Sequence, residues 1–523
     1  MRRTIPEDID TYTARPYERA EPKSLPLLDI TLRLSCITPV IGGGVRKLEP
    51  DTVDVVRVPS VRGQLRYWWR ALGPETSPQE LFENESAIWG GVSGAEGKAI
   101  ASRVRVTKSI VDKWLVEPAG YHRVDKDKNT NGGTGKSAKP RLRSMPDWSR
   151  DLGYGLFPFQ LDSDELKNAT VAKPTRSVRW NLSFDLRIRL DPARGGEPHR
   201  RNCEHDEVNR LLWTLWAWIH FGGIGGRTTR GFGALAVHAP LSGVPEAWKH
   251  RFKKPRSSNV KKWLIELWDS AAPPRLANSL GWAHLGGARV FVGEPVAQPA
   301  LSDRISETAK ATAHSNVIGA LRRFRQERGF GRDVSTNGKP AGQSHWPEPH
   351  MLRAQTQMEV LREQKRSVDW EHQPPREIVD HVVSPTKTAL TWTPPRAAFG
   401  LPIVVKFKPN DDRNASQSDT EADGTIALDA HGGRWMSPLR LRPIACSDGK
   451  HVPIALLFPL RPWTATKHEI TFRGKVIYLK KDAPTLAGPM SRYMKSGQGD
   501  AAVAFTEWLK DKSNGYQEIG GGK

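Results

Sequence analysis

Between Phe221 and Gly233 the chain reads FGGIGGRTTRGFG. Glycines at 222, 223, 225 and 226 let a backbone take positive φ and approach a ligand closely, turning N–H groups toward phosphate oxygens. Arg227 and Arg230 add planar guanidinium forks that can hold two oxygens at once, and Phe232 belongs to the same candidate set. The chemistry on offer is a grip on a nucleic-acid backbone. A plain turn needs one or two glycines, so the number gathered here favours the grip.

A second candidate is VRGQLRYWWRAL, Val61 to Leu72. At helical period Val61, Leu65, Trp68 and Leu72 share one face, while Arg62, Arg66 and Arg70, spaced by four, share a neighbouring one. Trp69 falls between stripe and core, where a base could stack. The same pattern also describes an ordinary solvated helix face over buried tryptophans. The later VIGALRRF, Val317 to Phe324, repeats the Val, Gly, Leu, Arg and aromatic positions of Val61 to Trp68 in register. That points to an internal duplication and adds Arg322 and Arg325 to the expected RNA-binding residues.

Other chemistries find little support. TNGGTGKS, Thr130 to Ser137, imitates a phosphate-binding loop but has Thr130 where a glycine is required, and it sits in a polar insertion rather than between a strand and a helix. Glu204, His205, Asp206 and Glu207 form the one dense acid and histidine group, and acids at the start of a helix offset its macrodipole. Cys36, Cys203 and Cys446 are too few and too scattered for a disulfide framework or a zinc knuckle. His122, His220, His284 and His314 could in principle serve a metal-free ribonuclease, but isolated histidines are more often packed or surface residues. No catalytic set, metal site or cofactor is expected.

Positioning these groups calls for a mixed fold. LLDITLRLSCI from Leu27 to Ile37 alternates as a strand, the helix after Pro59 follows, AIASRVRVTK and VRWNLSFDLRIRL supply two strands, EHDEVNRLLWTLWAWIH a helix and GFGALAVHA a last strand. The order β-α-β-β-α-β is the ferredoxin-like arrangement, which leaves one sheet face open to RNA. The expected class is α+β, two ferredoxin-like domains with polar insertions. The first spans 1–245 with a basic insertion at 122–146, a linker covers 246–279, the second spans 280–485 with an insertion at 409–425, and 486–523 is an extension. In the second domain the clearest runs are GARVFVG, the helix from Ser315 to Arg328, LPIVVKF, HVPIALLFPL and KHEITFRGKVIYL.

Lys and Arg number 79 against 57 Asp and Glu, a formal charge of +22 that favours a polyanionic partner. No stretch approaches the ~20 apolar residues of a membrane span, and no stretch near the termini sets its basic charge opposite one continuous apolar helical face, so a membrane partner is not expected. The N-terminus lacks the apolar run of a signal peptide, and a reducing cytoplasm is the expected compartment.

Taken together, ITPVIGGG (Ile37 to Gly44), VPSVRGQLRYWWRAL (Val58 to Leu72) and the glycine-arginine segment before the last strand resemble the RAMP superfamily of CRISPR proteins. Within it the doubled Trp68-Trp69, LFENESAIWGG (Leu81 to Gly91), SHWPEP (Ser344 to Pro349) and RWMSPL (Arg434 to Leu439) look like the first Cmr subunit of type III-B effector complexes. The resemblance implies two ferredoxin-like domains and a non-catalytic RNA-binding role in antiviral defence. It also implies a place near the 3′ region of the guide RNA and the 5′ side of the bound target, beside other RAMP subunits including the repeated backbone subunit. The alternative within that superfamily is a metal-independent endoribonuclease that processes CRISPR transcripts.

Overall fold

The computed structural model describes residues 25–43, 48, 49, 51, 54–93, 98–112, 114–119, 150–161, 176–193, 198–271, 283–299, 312–327, 346, 348, 349, 389, 390, 396, 399, 400, 403–407, 424–430, 436–459, 469–472, 475–479 and 501–519. The insertion at 122–146, with Thr130 to Ser137 and His122, lies outside these residues, as do residues 409–423 of the second insertion.

Alternating apolar residues make β1 (Leu28–Cys36), with Leu28, Ile30, Leu32, Leu34 and Cys36 on its buried face. Pro59 opens α1 (Val58–Ala71), since its fixed φ suits a first turn and its missing N–H is one that turn leaves unbonded. In α2 (Pro78–Trp89) the Ser77 hydroxyl caps by accepting from the Glu80 N–H. Then come β2 (Val104–Ile110), the short α3 (Arg150–Gly155), β3 (Ser183–Leu190), α4 (Pro198–Phe221) and β4 (Leu235–Ser242). The sheet runs β2-β3-β1-β4 with every pair antiparallel.

Two runs expected as single strands are divided. Residues 99–108 split into Lys98–Ile100 and the start of β2. Residues 178–190 split at Asn181, whose φ of 52° turns the chain, so that Ser177–Trp180 pairs instead with Val40–Ile41 and Leu115–Pro118 in a separate sheet. The stretch expected as a linker is folded for most of its length. It forms α5 (Glu246–Phe252) and α6 (Val260–Ala271), because Trp248 and Phe252, then Val260, Leu264, Leu267 and Trp268, recur at helical spacing and bury.

The second unit consists of β5 (Arg289–Val292), α7 (Ala313–Gln326), β6 (Leu439–Ala445), β7 (Lys450–Leu457), α8 (Ala501–Lys510) and β8 (Gln517–Ile519). Its sheet runs β6-β7-β5-β8, with the short strand Val296–Ala297 also pairing with β7, and is again antiparallel throughout. Residues expected as a C-terminal extension therefore supply a helix and an edge strand. The runs at 403–407, 469–472 and 475–479 belong elsewhere, in a sheet with 389–390 and 424–430.

Layering follows from which faces are apolar. Ile30, Leu32 and Leu186 of the first sheet, Trp68 and Trp216 of α1 and α4, and Val290, Val292, Ile454 and Leu456 of the second sheet share one core. The opposite face of the second sheet, with Phe291, Leu439, Leu441, Ala455 and Leu457, packs on Val317, Leu321 and Phe324 of α7 and Phe505 of α8. Sheet, helices, sheet and helices thus alternate, and each buried Leu or Phe contributes roughly 1.5–3 kcal/mol. Of these two sheets, the first keeps an open face among the described residues. The second is covered on both sides, which is why every residue of β6 is buried.

Candidate nucleic-acid interface

Three surfaces compete for a polyanion: the outer face of the first sheet, the arginine stripe of α1, and the glycine loop between α4 and β4.

On the open face the register sets Arg33 opposite Asp185 and Asp29 opposite Arg189. Arg33 donates to both carboxylate oxygens of Asp185 at 2.8 and 3.0 Å, and Arg187 to both of Asp29 at 2.8 and 2.6 Å. Arg189 and Arg105 meet Asp191 at 2.8 and 2.9 Å. The hydrogen bond from Arg187 holds Asp29 below its ordinary range, and the one from Arg33 does the same for Asp185. The outward positions of β1 to β4 carry no Phe, Tyr or Trp, so the face lacks the rings with which four-stranded sheets stack bases.

The stripe on α1 is turned to its own neighbours. Arg62 donates to the carbonyls of Val104 and Trp89 at 2.8 Å each, and burial first, then Arg66, lowers its pKa. Arg66 and Arg70 converge on one Glu85 oxygen at 2.5 and 2.7 Å. Trp69 is 3% exposed and the Arg210 guanidinium lies 3.1 Å from its ring centroid. On α7, Arg322, which stands at the position matching Arg66, pairs with Asp151 of α3 at 2.5 Å.

The glycine loop is pinned on three sides. Its root is closed by Gly222 N–H on Trp218 O at 2.8 Å and by the Trp218 indole N–H on Gly223 O at 3.0 Å. Gly226 N–H donates to Ile41 O at 2.7 Å and Gly233 N–H to Pro39 O at 2.8 Å, so these two donors are used within the chain. Gly225, with φ +76°, sits where an added Cβ would come 2.6 Å from Ile41 O. Arg227 itself is left-handed at φ 58°, an uncommon state for a side-chain-bearing residue and one that functional loops tend to hold. Phe232 is fully buried and meets His314 edge-on at 4.7 Å.

The third side is the second unit. Arg230 donates to Leu439 O at 3.2 Å, and the His314 Nε2–H donates to Arg230 O at 2.8 Å. Burial pushes His314 down to about 4, which keeps that ring neutral with its proton on the bonded nitrogen. Arg442 of β6 reaches into the loop root, donating to Gly222 O at 2.7 Å and Leu235 O at 3.0 Å. Burial first, then Arg440, lowers its guanidinium to about 9. Arg325 lies 5.9 Å from the Tyr154 ring and 5.6 Å from that of Phe399. Loop, α7 and β6 therefore bring Arg227, Arg230, Phe232 and Arg325 to one seam, whereas Arg62, Arg66, Trp69 and Arg70 stay on α1.

Sequence reasoning missed Arg440 and Arg442. Their alternation with apolar residues in LRLRPIA suggests a solvent face, and only the packing of the two sheets shows that face to be buried.

The remaining chemical candidates are built into the packing. His220 is buried and pushed down to about 3, first by that burial and then by Arg442, while His284 donates to Gly73 O at 2.8 Å. Glu204 to Glu207 lie within α4, past its first turn, and Glu207 pairs with Arg103 at 2.8 Å. Among the described residues no three His, Cys, Asp or Glu side chains gather as metal ligands, and no helix is long and apolar enough to cross a membrane.

Residues 33–236 match the family model of the RAMP superfamily. No curated protein matches the chain. Among solved structures it is similar to the crystal structure of Cmr1 from Pyrococcus furiosus in its apo form, at 14% identity and a TM-score of 0.39, covering 94% of this chain and 99% of that one. It is similar also to a chain of the type III-B Cmr-beta complex bound to cognate target RNA, at 14% identity and a TM-score of 0.39, covering 82% of this chain and 94% of that one.

Proposed function

We propose that this chain, whose residues 33–236 match the family model of the RAMP superfamily, is a non-catalytic RNA-binding subunit of a type III-B CRISPR effector complex acting in antiviral defence. The observation that carries the reading is the loop from Phe221 to Gly233, held by backbone hydrogen bonds to Ile41, Pro39 and Trp218 and placing Arg227 and Arg230 at the seam of a chain with a formal charge of +22. Such a loop binds backbone and leaves sequence to guide-target pairing. Its partners are guide RNA, target RNA and other RAMP subunits, among them the repeated backbone subunit. Its place near the guide 3′ region and the 5′ side of the target rests on the motif resemblance.

Two ferredoxin-like units underlie this role. Both run β-α-β-β-α-β, both sheets order their strands second, third, first, fourth, and the repeated sequence falls on the first helix of each. There Val61 and Val317, Leu65 and Leu321, and Trp68 and Phe324 are buried in matching positions. The first unit falls within 1–245 and the second begins near 280 and runs through β8. Of the expected contacts, Gly222, Gly223, Gly225, Gly226, Arg227, Arg230 and Arg325 belong to the seam, and Arg62, Arg66, Arg70, Trp69 and Arg322 support it from the flanking helices.

The test is RNA binding by the purified full chain as salt is varied. Phosphate contacts release counterions, so affinity should fall steeply with salt and differ little between unrelated sequences. A flat salt response would overturn the proposal. Incubation with repeat RNA in EDTA should leave the RNA intact, and discrete cleavage lost on changing one histidine would replace it with the endoribonuclease reading.

A further inference from the structure

Apart from Leu25, where the described residues begin, the two most exposed large apolar side chains among them are Met436, 57% exposed, and Phe157, 53% exposed. A single exposed apolar residue is ordinary on a protein surface. These two call for an account because both border the same loop.

Phe157 opens the short turn Phe157–Phe159 that follows α3. On either side of it Leu156 and Phe159 are fully buried in one cluster with Phe232 and Ile41. Two residues before it Gly155 lies so close to Phe232 that an added Cβ would come 3.0 Å from the ring. Phe159 N–H donates to Leu156 O at 2.7 Å and Gln160 N–H to Phe157 O at 3.1 Å, and the fixed φ of Pro158 stiffens the turn further. The ring of Phe157 is therefore exposed from a backbone that is held in place, which lowers the cost of ordering it against a ligand.

Met436 stands three residues before Leu439, whose carbonyl accepts from Arg230 at 3.2 Å. Phe458 N–H donates to Pro438 O at 3.1 Å and ties that segment to the end of β7. One apolar residue thus borders the loop at Phe232 and the other at Arg230. Cations accompany them, since the Arg325 guanidinium lies 5.9 Å from the ring of Tyr154, three residues before Phe157.

A nucleotide joins a flat apolar base to an anionic phosphate, so a ring and a thioether beside guanidiniums match one such unit. An apolar side chain from a protein partner would suit the ring and the thioether but leave the flanking arginines without a role. Within a duplex each base face is covered by its stacked neighbours, and only an unpaired base can open its face to a side chain.

We infer that Phe157 and Met436 take unpaired RNA bases beside the loop, Phe157 by stacking and Met436 through its thioether, so that single-stranded RNA is the substrate of this site. On the RNA-binding reading above, on which this rests, the pair adds contacts that any base can make to a grip on the backbone.

The experiment uses the full chain as wild type, Phe157→Ala, Phe157→Tyr and Met436→Ala, with anisotropy measured on a labelled single-stranded RNA and on an RNA duplex of the same length. Both side chains are largely exposed, so the melts of all four proteins should overlay. Phe157→Ala should weaken single-strand binding about tenfold, as for one lost base stack, and Met436→Ala about threefold. Phe157→Tyr keeps the ring and should bind as wild type does. Duplex affinity should not change, and neither should the slope of log affinity against log salt, because no charge is removed.

Alanine variants that both bind single-stranded RNA like wild type would overturn the inference. The RNA-binding reading then stands if wild type keeps a steep salt response, and falls as well if wild type binds no RNA. Equal losses on single strand and duplex would also overturn it, since they mark a general disturbance of the seam. Variants that keep RNA affinity but lose association with co-expressed RAMP subunits would overturn it too, and would give the two side chains to a protein interface.

Discussion

The open face of the first sheet and the seam behind the glycine loop are both rich in arginine, and they use it in opposite ways. On the face, Arg33, Arg105, Arg187 and Arg189 each meet an aspartate within 3.0 Å, in a lattice fixed by strand register. At the seam, Arg230, Arg325, Arg440 and Arg442 meet carbonyls and rings. Exposure therefore does not by itself make an interface for RNA. A charge already matched to a neighbour has little left for a phosphate, whereas a guanidinium held by neutral groups keeps its full attraction.

The sharpest way to break the comparison is at Gly225. Its φ of +76° and the 2.6 Å approach of a would-be Cβ to Ile41 O make Gly225→Val both strained and crowded. A loss of about 2–6 kcal/mol in stability, read by thermal or urea melts, should accompany loss of RNA binding. Acidification separates the regions next. His314 is pushed down to about 4 from 6.5, so the unfolded chain takes up its proton first and stability present near neutral pH is lost as pH falls through that window. A tenfold difference in proton affinity between the folded and unfolded chain amounts to about 1.4 kcal/mol, and His314→Gln should lessen the fall in melting temperature between pH 6.5 and 4, leaving the part due to His220. Asp29 and Asp185 lie below 3.8, so the open face should keep its pairs until the pH falls lower still.

Removing the loop charges should act mainly on binding. Arg227→Ala with Arg230→Ala is expected to weaken RNA affinity by about 1–3 kcal/mol for each charged hydrogen bond removed. Because Arg230 also bridges to Leu439 O, stability should fall by about 1 kcal/mol as well. The smallest effect belongs to the open face. Asp29→Asn with Asp185→Asn should free Arg33 and Arg187 and raise RNA affinity modestly, while shifting the melting temperature little, since exposed ion pairs contribute little.

The first unit was largely legible because its elements are local patterns. Alternation in Leu28 to Cys36 and the apolar face of Val61 to Leu72 mark strand and helix, and both Val61 to Trp68 and Val317 to Phe324 lie on helices. What stayed hidden depends on distant packing. β6 and β8 lie far from β5 in sequence, so the second sheet could not be ordered, and α8 with β8 passed for an extension. Trp69 looked available to a base because no local signal shows Arg210 lying over its ring. Arg440 and Arg442 looked solvent-facing because alternation shows that a strand has two faces, without showing that both are covered.

The central claim is that RNA is held at the loop and seam and not on the open sheet face. Fluorescence anisotropy with a single-stranded RNA, repeated across a salt series, tests it on three proteins: wild type, Arg227→Ala with Arg230→Ala, and Arg33→Ala with Arg187→Ala. Removing one arginine that neutralises a phosphate should lower the slope of log affinity against log salt by about 0.7. The account predicts a weaker and shallower response for the loop variant and a curve overlying wild type for the face variant. A loop variant that overlies wild type while the face variant weakens and flattens would contradict it.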